Sequence, residues 1–174
     1  TVGKATYGVA KYIRSKEKDN LSVVLAYDSR NNSAFFAKIA AGIFASCGFK
    51  VYLFDTLVPV PVLSFSAKHL GCTAGVMLTA SHNPKEYNGY KVYWEDGAQV
   101  TPPHDTSIMD EVGKVTSFDM VKTMAKEEAV KAGLYEVISD DVDEKYFAQL
   151  RNLSIHPEII KQMAKDIKIV YTPL

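Results

Sequence analysis

Two short apolar runs are each followed at once by polar side chains that could do chemistry. The run SVVLAY, residues 22–27, leads into Asp28-Ser29-Arg30, and the run GVMLTA, residues 75–80, leads into a longer polar loop. That loop supplies Ser81-His82-Asn83-Pro84 and Asn88-Gly89, and Lys91 follows it. A serine hydroxyl can carry a transferred group, and cationic side chains can stabilise the charge that such a transfer develops.

Ser81 and its neighbours also have structural interpretations, as a loop serine that completes a turn and a histidine that hydrogen-bonds within the loop. Ser81 does not lie in the nucleophile elbow of hydrolases, because Thr79 and Asn83 stand where that motif requires glycine. Adjacent side chains in an extended loop point apart, so a proton relay from Ser81 to His82 is not expected. Turn chemistry by itself explains Asn88-Gly89.

The other charged candidates have the same two interpretations. Arg30 could bind an anion or simply pair with Asp28, and Lys91 could face the site or the solvent. The four histidines are scattered without metal-ligand spacing, and the chain has neither a glycine-rich phosphate loop nor a dinucleotide fingerprint. From the residues alone, we therefore expect an anion-binding polar site at two strand ends.

Apolar strands and helical patterns alternate over residues 1–94, which predicts an α/β fold with a mixed, mainly parallel sheet layered between helices. The loop before residues 90–94 is too short for a crossover helix, so this strand is predicted to be antiparallel at one edge. Asn32 or Ser33 is predicted to cap the second helix, Gly48 to end it, and Pro59 or Pro61 to open the third. Ligands bind beyond the carboxyl ends of parallel strands, where both polar loops lie.

From Pro102 onward the pattern is mostly helical, with acidic surfaces. Pro157 is predicted to open one more helix, and residues 168–171 form an apolar run that predicts a strand, before Thr172-Pro173-Leu174. We predict one domain over residues 1–150, and over residues 151–174 a helix and a first strand that lead into a second domain.

Composition excludes several classes of protein. The 174 residues are 47% hydrophobic with a formal net charge of +0, which argues against disorder and against nucleic acid as the main partner. Residues 1–94 carry eleven basic and five acidic side chains, whereas residues 95–150 carry five basic and thirteen acidic ones, so the front half could attract a small anion.

No run is long and apolar enough to cross a membrane. Two cysteines in apolar segments favour a reduced, cytoplasmic protein, although a bridge between Cys47 and Cys72 stays open.

The residues 75–84, GVMLTASHNP, followed by Asn88-Gly89-Tyr90-Lys91, resemble the active-serine signature of the α-D-phosphohexomutases, the phosphoglucomutase and phosphomannomutase family. Tyr27-Asp28-Ser29-Arg30 with Ser33 resembles the family's upstream Asp-x-Arg-x-x-Ser element. Residues 93–99 and 102–105 are similar to the subgroup with phosphoglucomutase-2-type and phosphopentomutase-type enzymes. The resemblance covers the whole chain but only the first of the family's four domains.

The resemblance implies an intramolecular phosphotransferase that acts on hexose or pentose phosphates through a phosphoserine and a sugar bisphosphate. Ser81 would carry the phosphate, and that phosphate would be one ligand of a Mg²⁺ ion whose other ligands lie in a later domain. Lys91 and Arg30 would face the transferring group, with Lys91 as a general acid or base, and His82 would hydrogen-bond near the phosphate. Thr79 and Asn83 would shape the loop, and Asp28 would act in the site or simply orient Arg30.

The remaining domains of the same polypeptide are the implied partners, so these 174 residues by themselves are expected to be catalytically inert. Two alternatives stay open. One is a sugar-bisphosphate synthase that uses the same serine with another phosphate donor, and the other is a non-catalytic module that binds phosphosugars.

Overall fold

Alternating strands and helices build a five-stranded sheet between two helical layers. The computed structural model describes residues 1–16 and 19–172. In chain order the elements are α1 (Val2–Lys16), β1 (Ser22–Tyr27), α2 (Ser33–Ser46), β2 (Lys50–Phe54), α3 (Val60–His69), β3 (Ala74–Leu78), β4 (Tyr90–Trp94), α4 (His104–Gly113), a 3₁₀ turn (Phe118–Met120), α5 (Lys126–Lys131), β5 (Tyr135–Ile138), α6 (Asp140–Asn152) and α7 (Pro157–Met163).

The strands lie in the order β4-β3-β1-β2-β5. β1 pairs in parallel with both β2 and β3, and β5 continues the parallel sheet beside β2. β4 pairs antiparallel with β3 at the edge, which confirms the predicted mixed sheet with an antiparallel edge strand. Because both faces of the parallel strands are covered by helices, these strands are continuous apolar runs rather than alternating ones.

Two apolar cores lie on opposite faces of the sheet. Val23 and Leu25 of β1 pack into the core that contains α1, α2, α4 and α5. Val24 and Ala26 of the same strand pack into the second core, which contains α3 and the start of α6. The alternation follows from the two-residue period of a strand, and it confirms the predicted layering of the sheet between helices.

The ends of the helices agree with the sequence patterns except at the start of α2. Gly48 follows α2 with a φ of +81°, a left-handed conformation that glycine adopts without steric cost, and α3 begins directly after Pro59. The predicted side-chain cap of α2 is wrong. Asn32 occupies the cap position without a side-chain cap hydrogen bond, and the Ser33 hydroxyl lies instead within hydrogen-bond distance of Asp28 and Asn88.

The prediction that the chain is mostly helical beyond Pro102 overlooks β5. This strand has four residues, of which Tyr135 and Ile138 are buried while Glu136 and Val137 are exposed. Such a short segment has neither an apolar run nor a clear alternation, so only its pairing with β2 defines it as a strand.

The end of the chain differs from the prediction in one element. α7 does begin at Pro157, but the predicted strand at residues 168–171 is not formed, and these residues are exposed. No strand of the described residues lies beside this segment, and a strand without a pairing partner is not stable by itself. Pro173 and Leu174 lie outside the described residues. The division between residues 150 and 151 stays a prediction, and α6 runs through that position.

Both cysteines are free thiols, so no bridge joins Cys47 to Cys72. Cys72 is buried, and burial raises the pKa of its thiol to about 11. Among the helices of the described residues, none has the length and the apolar content needed to cross a membrane.

Candidate functional site

The sheet brings the two polar loops together, as the sequence predicts. β1 and β3 are parallel neighbours, so the residues that follow them emerge side by side at one edge of the sheet. The Asp28 amide donates to the Leu78 carbonyl oxygen at 3.3 Å, and the Asn31 amide donates to the Lys85 carbonyl oxygen at 3.1 Å. We call residues 28–33 the arginine loop and residues 79–89 the serine loop.

Arg30 holds the serine loop in place through backbone carbonyl groups. Its Nη2 donates to the Ser81 carbonyl oxygen at 2.5 Å, and its Nη1 lies 2.7 Å from the carbonyl oxygens of both Asn83 and Pro84. Nη1 also lies 3.2 Å from the carbonyl oxygen of Tyr87. The side chain is only 8% exposed. A guanidinium holds five N–H donors in a rigid, planar fork, so it can satisfy several carbonyl groups at once in a fixed geometry.

Asp28 anchors that arginine from the other side. Its Oδ2 accepts a hydrogen bond from Arg30 Nε at 3.0 Å and another from the Thr79 hydroxyl at 2.6 Å. Its Oδ1 accepts from the Arg30 amide, and it lies 3.1 Å from the Ser33 hydroxyl. All of these partners lie within the protein, so the geometry favours the interpretation in which Asp28 orients Arg30.

Ser81 occupies a strained and exposed position at the start of the serine loop. Its φ of +59° lies in the left-handed region, which costs an L-residue roughly 1–2 kcal/mol. Two hydrogen bonds of the Ser81 backbone stabilise this conformation. The Ser81 amide donates to the Thr79 hydroxyl at 3.0 Å, and the Ser81 carbonyl accepts from Arg30. Within the described residues, the Ser81 hydroxyl has no hydrogen-bond partner. The fold therefore fixes the backbone of Ser81 and leaves its oxygen free.

The other predicted site residues lie at the same edge of the sheet. His82 and Asn83 are exposed beside Ser81, and the Asn83 amide closes a turn on the Ala80 carbonyl oxygen at 3.1 Å. Lys91 is half-buried on β4, directly across from Met77 on β3. Since β4 is antiparallel, its first residues lie at the carboxyl end of β3, where the serine loop begins. Directly opposed residues share a face, so Lys91 lies on the α3 side of the sheet with Met77.

Sequence reasoning missed the part that Asn88 and Gly89 play. These residues do not form a turn. The Asn88 amide group donates to the Asn31 carbonyl oxygen at 2.6 Å, and its Oδ1 accepts from the Ser33 hydroxyl at 2.7 Å, so this side chain ties the two loops together. A Cβ at Gly89 would lie 2.5 Å from the Thr79 carbonyl oxygen. Turn propensity predicts neither contact. The only signal in the sequence was Ser33, the partner of Asn88, which belongs to the motif Asp-x-Arg-x-x-Ser.

The described residues do not form a metal site by themselves. The described residues contain no group of three histidine, cysteine or acidic side chains in metal-binding proximity. Asp28 lies near the serine loop, but its oxygens already accept hydrogen bonds from Arg30 and Thr79. Both oxygens of Asp28 therefore already have hydrogen-bond partners within the protein.

The fold and the site together define an α/β/α domain that presents a restrained serine loop at the carboxyl ends of its strands. The family model for phosphoglucomutase/phosphomannomutase, alpha/beta/alpha domain I, matches residues 1–119. The chain therefore belongs to the phosphoglucomutase/phosphomannomutase family, as the serine motif implies, and represents its first domain.

Curated relatives agree with this assignment. The phosphoglucomutase of Staphylococcus haemolyticus is 36% identical over the whole of this chain, which covers 30% of that protein. The probable phosphoribomutase of Schizosaccharomyces pombe is 38% identical over all of this chain and 30% of its own length. The human phosphopentomutase is 42% identical over 62% of this chain and 19% of its own length. The chain thus spans about a third or less of these relatives, whose names specify different sugars.

Solved structures show the same fold. A Thermus thermophilus protein assigned as a phosphomannomutase is 28% identical with a TM-score of 0.73, over 87% of this chain and 31% of that one. A phosphoglucomutase/phosphomannomutase family protein from Burkholderia thailandensis is 19% identical, with a TM-score of 0.60 over 98% of this chain and 32% of that one, a likeness of fold alone.

Proposed function

We propose that this chain is the serine-bearing domain of a phosphosugar mutase and that Ser81 carries the transferred phosphate. The observation that carries the proposal is the geometry of Ser81, whose backbone is held by Thr79 and Arg30 while its hydroxyl stays free and exposed. Phosphoryl transfer depends chiefly on positioning and on charge neutralisation, so a restrained carrier with a free oxygen suits it.

In the proposed cycle, a sugar hydroxyl attacks the phosphorus of phosphorylated Ser81. The bond from phosphorus to the Ser81 oxygen breaks as the new phosphorus–oxygen bond forms, and the sugar hydroxyl loses its proton to a base. The product is a sugar bisphosphate. The Ser81 oxygen then loses its proton and attacks the other phosphorus of the bisphosphate. The bond from that phosphorus to its sugar oxygen breaks and the sugar oxygen takes up a proton, which leaves the isomeric monophosphate and restores the phosphoserine.

Lys91 is the proposed proton carrier, since it lies on the strand edge that adjoins the serine loop. His82 lies next to Ser81 and is the proposed hydrogen-bond donor to its phosphate. Arg30 donates to four backbone carbonyl groups, so we assign it a positioning role in which it keeps the loop in the conformation that exposes Ser81. Asp28 orients Arg30, while Thr79 and Asn83 shape the loop.

Mg²⁺ is the proposed metal, and when bound beside the phosphate it would neutralise part of the roughly −2 charge of the phosphoserine. The phosphate on Ser81 would hold it from this domain. The remaining ligands and the contacts that recognise a hexose or pentose phosphate are proposed to lie in further domains of the same polypeptide. We therefore expect the 174-residue chain alone to have no mutase activity.

Residues 151–174 are proposed to belong with that further part of the polypeptide. Large apolar side chains are exposed along this segment, among them Leu153, Ile155 and Val170 at 74%, 85% and 97% exposure. Exposed apolar surface of this extent is typical of an interface.

A phosphopeptide map tests the carrier role. The full-length protein is incubated with Mg²⁺ and glucose 1,6-bisphosphate and then digested, beside the variant Ser81→Ala and the control Ser29→Ala. Ser29 is an exposed serine of the arginine loop without a side-chain hydrogen bond among the described residues. We expect phosphate on Ser81 in the wild type and in Ser29→Ala, and none in Ser81→Ala. A wild-type protein that takes up no phosphate at Ser81 would favour a non-catalytic binding module instead.

A further inference from the structure

A basic pocket lies far from the serine loop. This cavity of about 260 Å³ is open to solvent on one side and is bounded by α1, by the carboxyl end of α2 and by the segment before α5. Three exposed cations, Lys11, Arg14 and Lys122, line it. We propose that it binds the phosphate group of a small anion, at a site separate from the one that carries Ser81. The proposal rests on different residues from the proposed function and stands or falls independently of it.

The topology separates the two sites. The serine loop follows β3 at the carboxyl edge of the parallel strands, whereas Cys47 and Gly48 lie between the end of α2 and the start of β2. Lys11 and Arg14 lie on the last turns of α1, which precedes the first residue of β1. The pocket therefore lies near the amino ends of the parallel strands, whereas the serine loop lies at their carboxyl ends. A ligand in the pocket does not contact the serine loop.

The charged residues that line the pocket are all basic. Within the described residues, no acidic residue is among those that line it, and none of its three cations takes part in an ion pair. Burial raises the pKa of the Cys47 thiol, and the charges of Arg14 and Lys11 oppose that shift, which agrees with their position around the sulfur. Cations that converge on one cavity repel one another, and a bound anion would relieve that repulsion.

Hydrogen bonds to backbone carbonyl groups hold the wall of the pocket. Ser46 Oγ lies 2.9 Å from the Lys122 carbonyl oxygen, and the Met124 amide donates to the Gly42 carbonyl oxygen at 2.9 Å. A Cβ at Gly48 would lie 2.9 Å from Arg14 Nη2, so the guanidinium rests against a turn that has no side chain there. The segment that carries Lys122 is therefore fixed against α2.

These contacts favour the binding of an anion over an alternative in which the cations only stabilise the carboxyl end of a helix. Basic side chains near the carboxyl end of α2 do stabilise that helix. Lys122, however, belongs to no helix, and it reaches the same cavity from the segment before α5. Tyr7 also lines the pocket, and the Lys11 Nζ lies 5.8 Å from the centre of its ring. Two lysines and a guanidinium around one small volume match the charge and the oxygens of a phosphate.

A titration with inorganic phosphate, followed by amide chemical shifts at constant ionic strength, tests the site in the 174-residue chain. We expect saturable shifts at Cys47, Gly48 and Lys122. The double variant Lys11→Gln/Arg14→Gln should bind about tenfold more weakly or worse, because each loses a charge-assisted hydrogen bond. The control Lys38→Gln/Lys145→Gln removes two exposed charges elsewhere and should bind as the wild type does.

A parallel titration with glucose 1-phosphate distinguishes the sources of the phosphate group. Equal affinity for both probes supports a site that recognises phosphate alone, and tighter binding of the ester supports one that also contacts the sugar. Lys122→Gln gives an independent variant if the double variant is misfolded. Absence of saturation, equal binding by the pocket variants, or shifts confined to the serine loop would overturn the proposal. Ser81→Ala should bind phosphate in the pocket unchanged, which separates this test from that of the phosphate carrier.

Discussion

Two regions of the molecule differ in how their side chains are contacted. One is the edge of the sheet that carries the arginine loop and the serine loop, and the other is the segment from α6 to residue 171. At the loop edge, Arg30 and Asp28 join the two loops through short hydrogen bonds within the protein. In the α6–α7 segment, Ile155 and Val170 are apolar and exposed. A preorganised polar network suits a site that must keep one geometry, whereas unburied apolar surface suits contact with another part of the protein.

Among the predicted changes, Arg30→Met should cause the largest loss of stability, and it acts on the hydrogen-bonded loop edge. It removes the guanidinium and leaves Asp28, which is only 25% exposed, without its ion-pair partner. We expect a loss of about 3 kcal/mol in the free energy of unfolding, measured by urea denaturation, with the amide signals of the serine loop broadened. Arg151→Met, an exposed change on α6, is the control. A loss below about 1 kcal/mol, the size of an ordinary substitution, would contradict the positioning role of Arg30.

Gly89→Ala should have the next largest effect. The added Cβ would lie 2.5 Å from the Thr79 carbonyl oxygen, so the backbone between the serine loop and β4 must move. We expect a destabilisation of about 2 kcal/mol by thermal unfolding. At Gly113 nothing lies within 4 Å of an added Cβ, so Gly113→Ala should change stability by less than about 0.5 kcal/mol. If both variants unfold alike, the close approach at Gly89 does not restrain the loop.

Ser81→Gly and Ser81→Ala should differ by a smaller amount. Glycine adopts a φ of +59° without the clash that alanine suffers, so Ser81→Gly should be the more stable of the two by about 1 kcal/mol. At Ser29, which does not have a positive φ, the same pair should not favour glycine. Equal stability of the two Ser81 variants in urea would show that no strain is stored there. Neither variant of Ser81 should take up phosphate.

Val170→Lys should have the smallest effect on the chain itself. Its side chain is 97% exposed, so the free energy of unfolding of the 174-residue chain should change by less than about 0.5 kcal/mol. In the full-length protein the same change should reduce the thermal stability, because the lysine would then face a buried interface. Lys145→Gln serves as the control in both. An unchanged full-length protein would argue against the proposed contact of residues 151–174 with a further domain.

The sequence determined the sheet and the position of the site to a large extent. The runs at 22–27, 50–54 and 74–78 are apolar because both faces of those strands are covered, and their regular alternation with helices implies parallel pairing. The short connection before β4 allowed only an antiparallel edge strand. β5 escaped prediction, because only two of its four residues are buried.

The residues that could do chemistry were identified from their types and from the strand ends that they follow. Ser81, His82 and Lys91 all lie at the predicted edge, since the carboxyl ends of parallel neighbours must meet there. Local sequence could not decide between the interpretations of Arg30 and Asp28. That choice depends on which carbonyl groups lie within reach, and Arg30 contacts residues that are more than 50 positions away.

Composition and periodicity, then, indicated β1 to β4 and the polar residues that lie together at the ends of these strands. They could do so because the burial of a strand and the length of its connection are local properties of the sequence. Only the tertiary structure decided that Arg30 supports the serine loop, that Ser81 is held in a left-handed conformation with a free hydroxyl, and that Asn88 joins two loops. It also brought Lys11, Arg14 and Lys122 to one pocket. Such features depend on hydrogen bonds and charges between distant segments, and these arise only once the layers are packed.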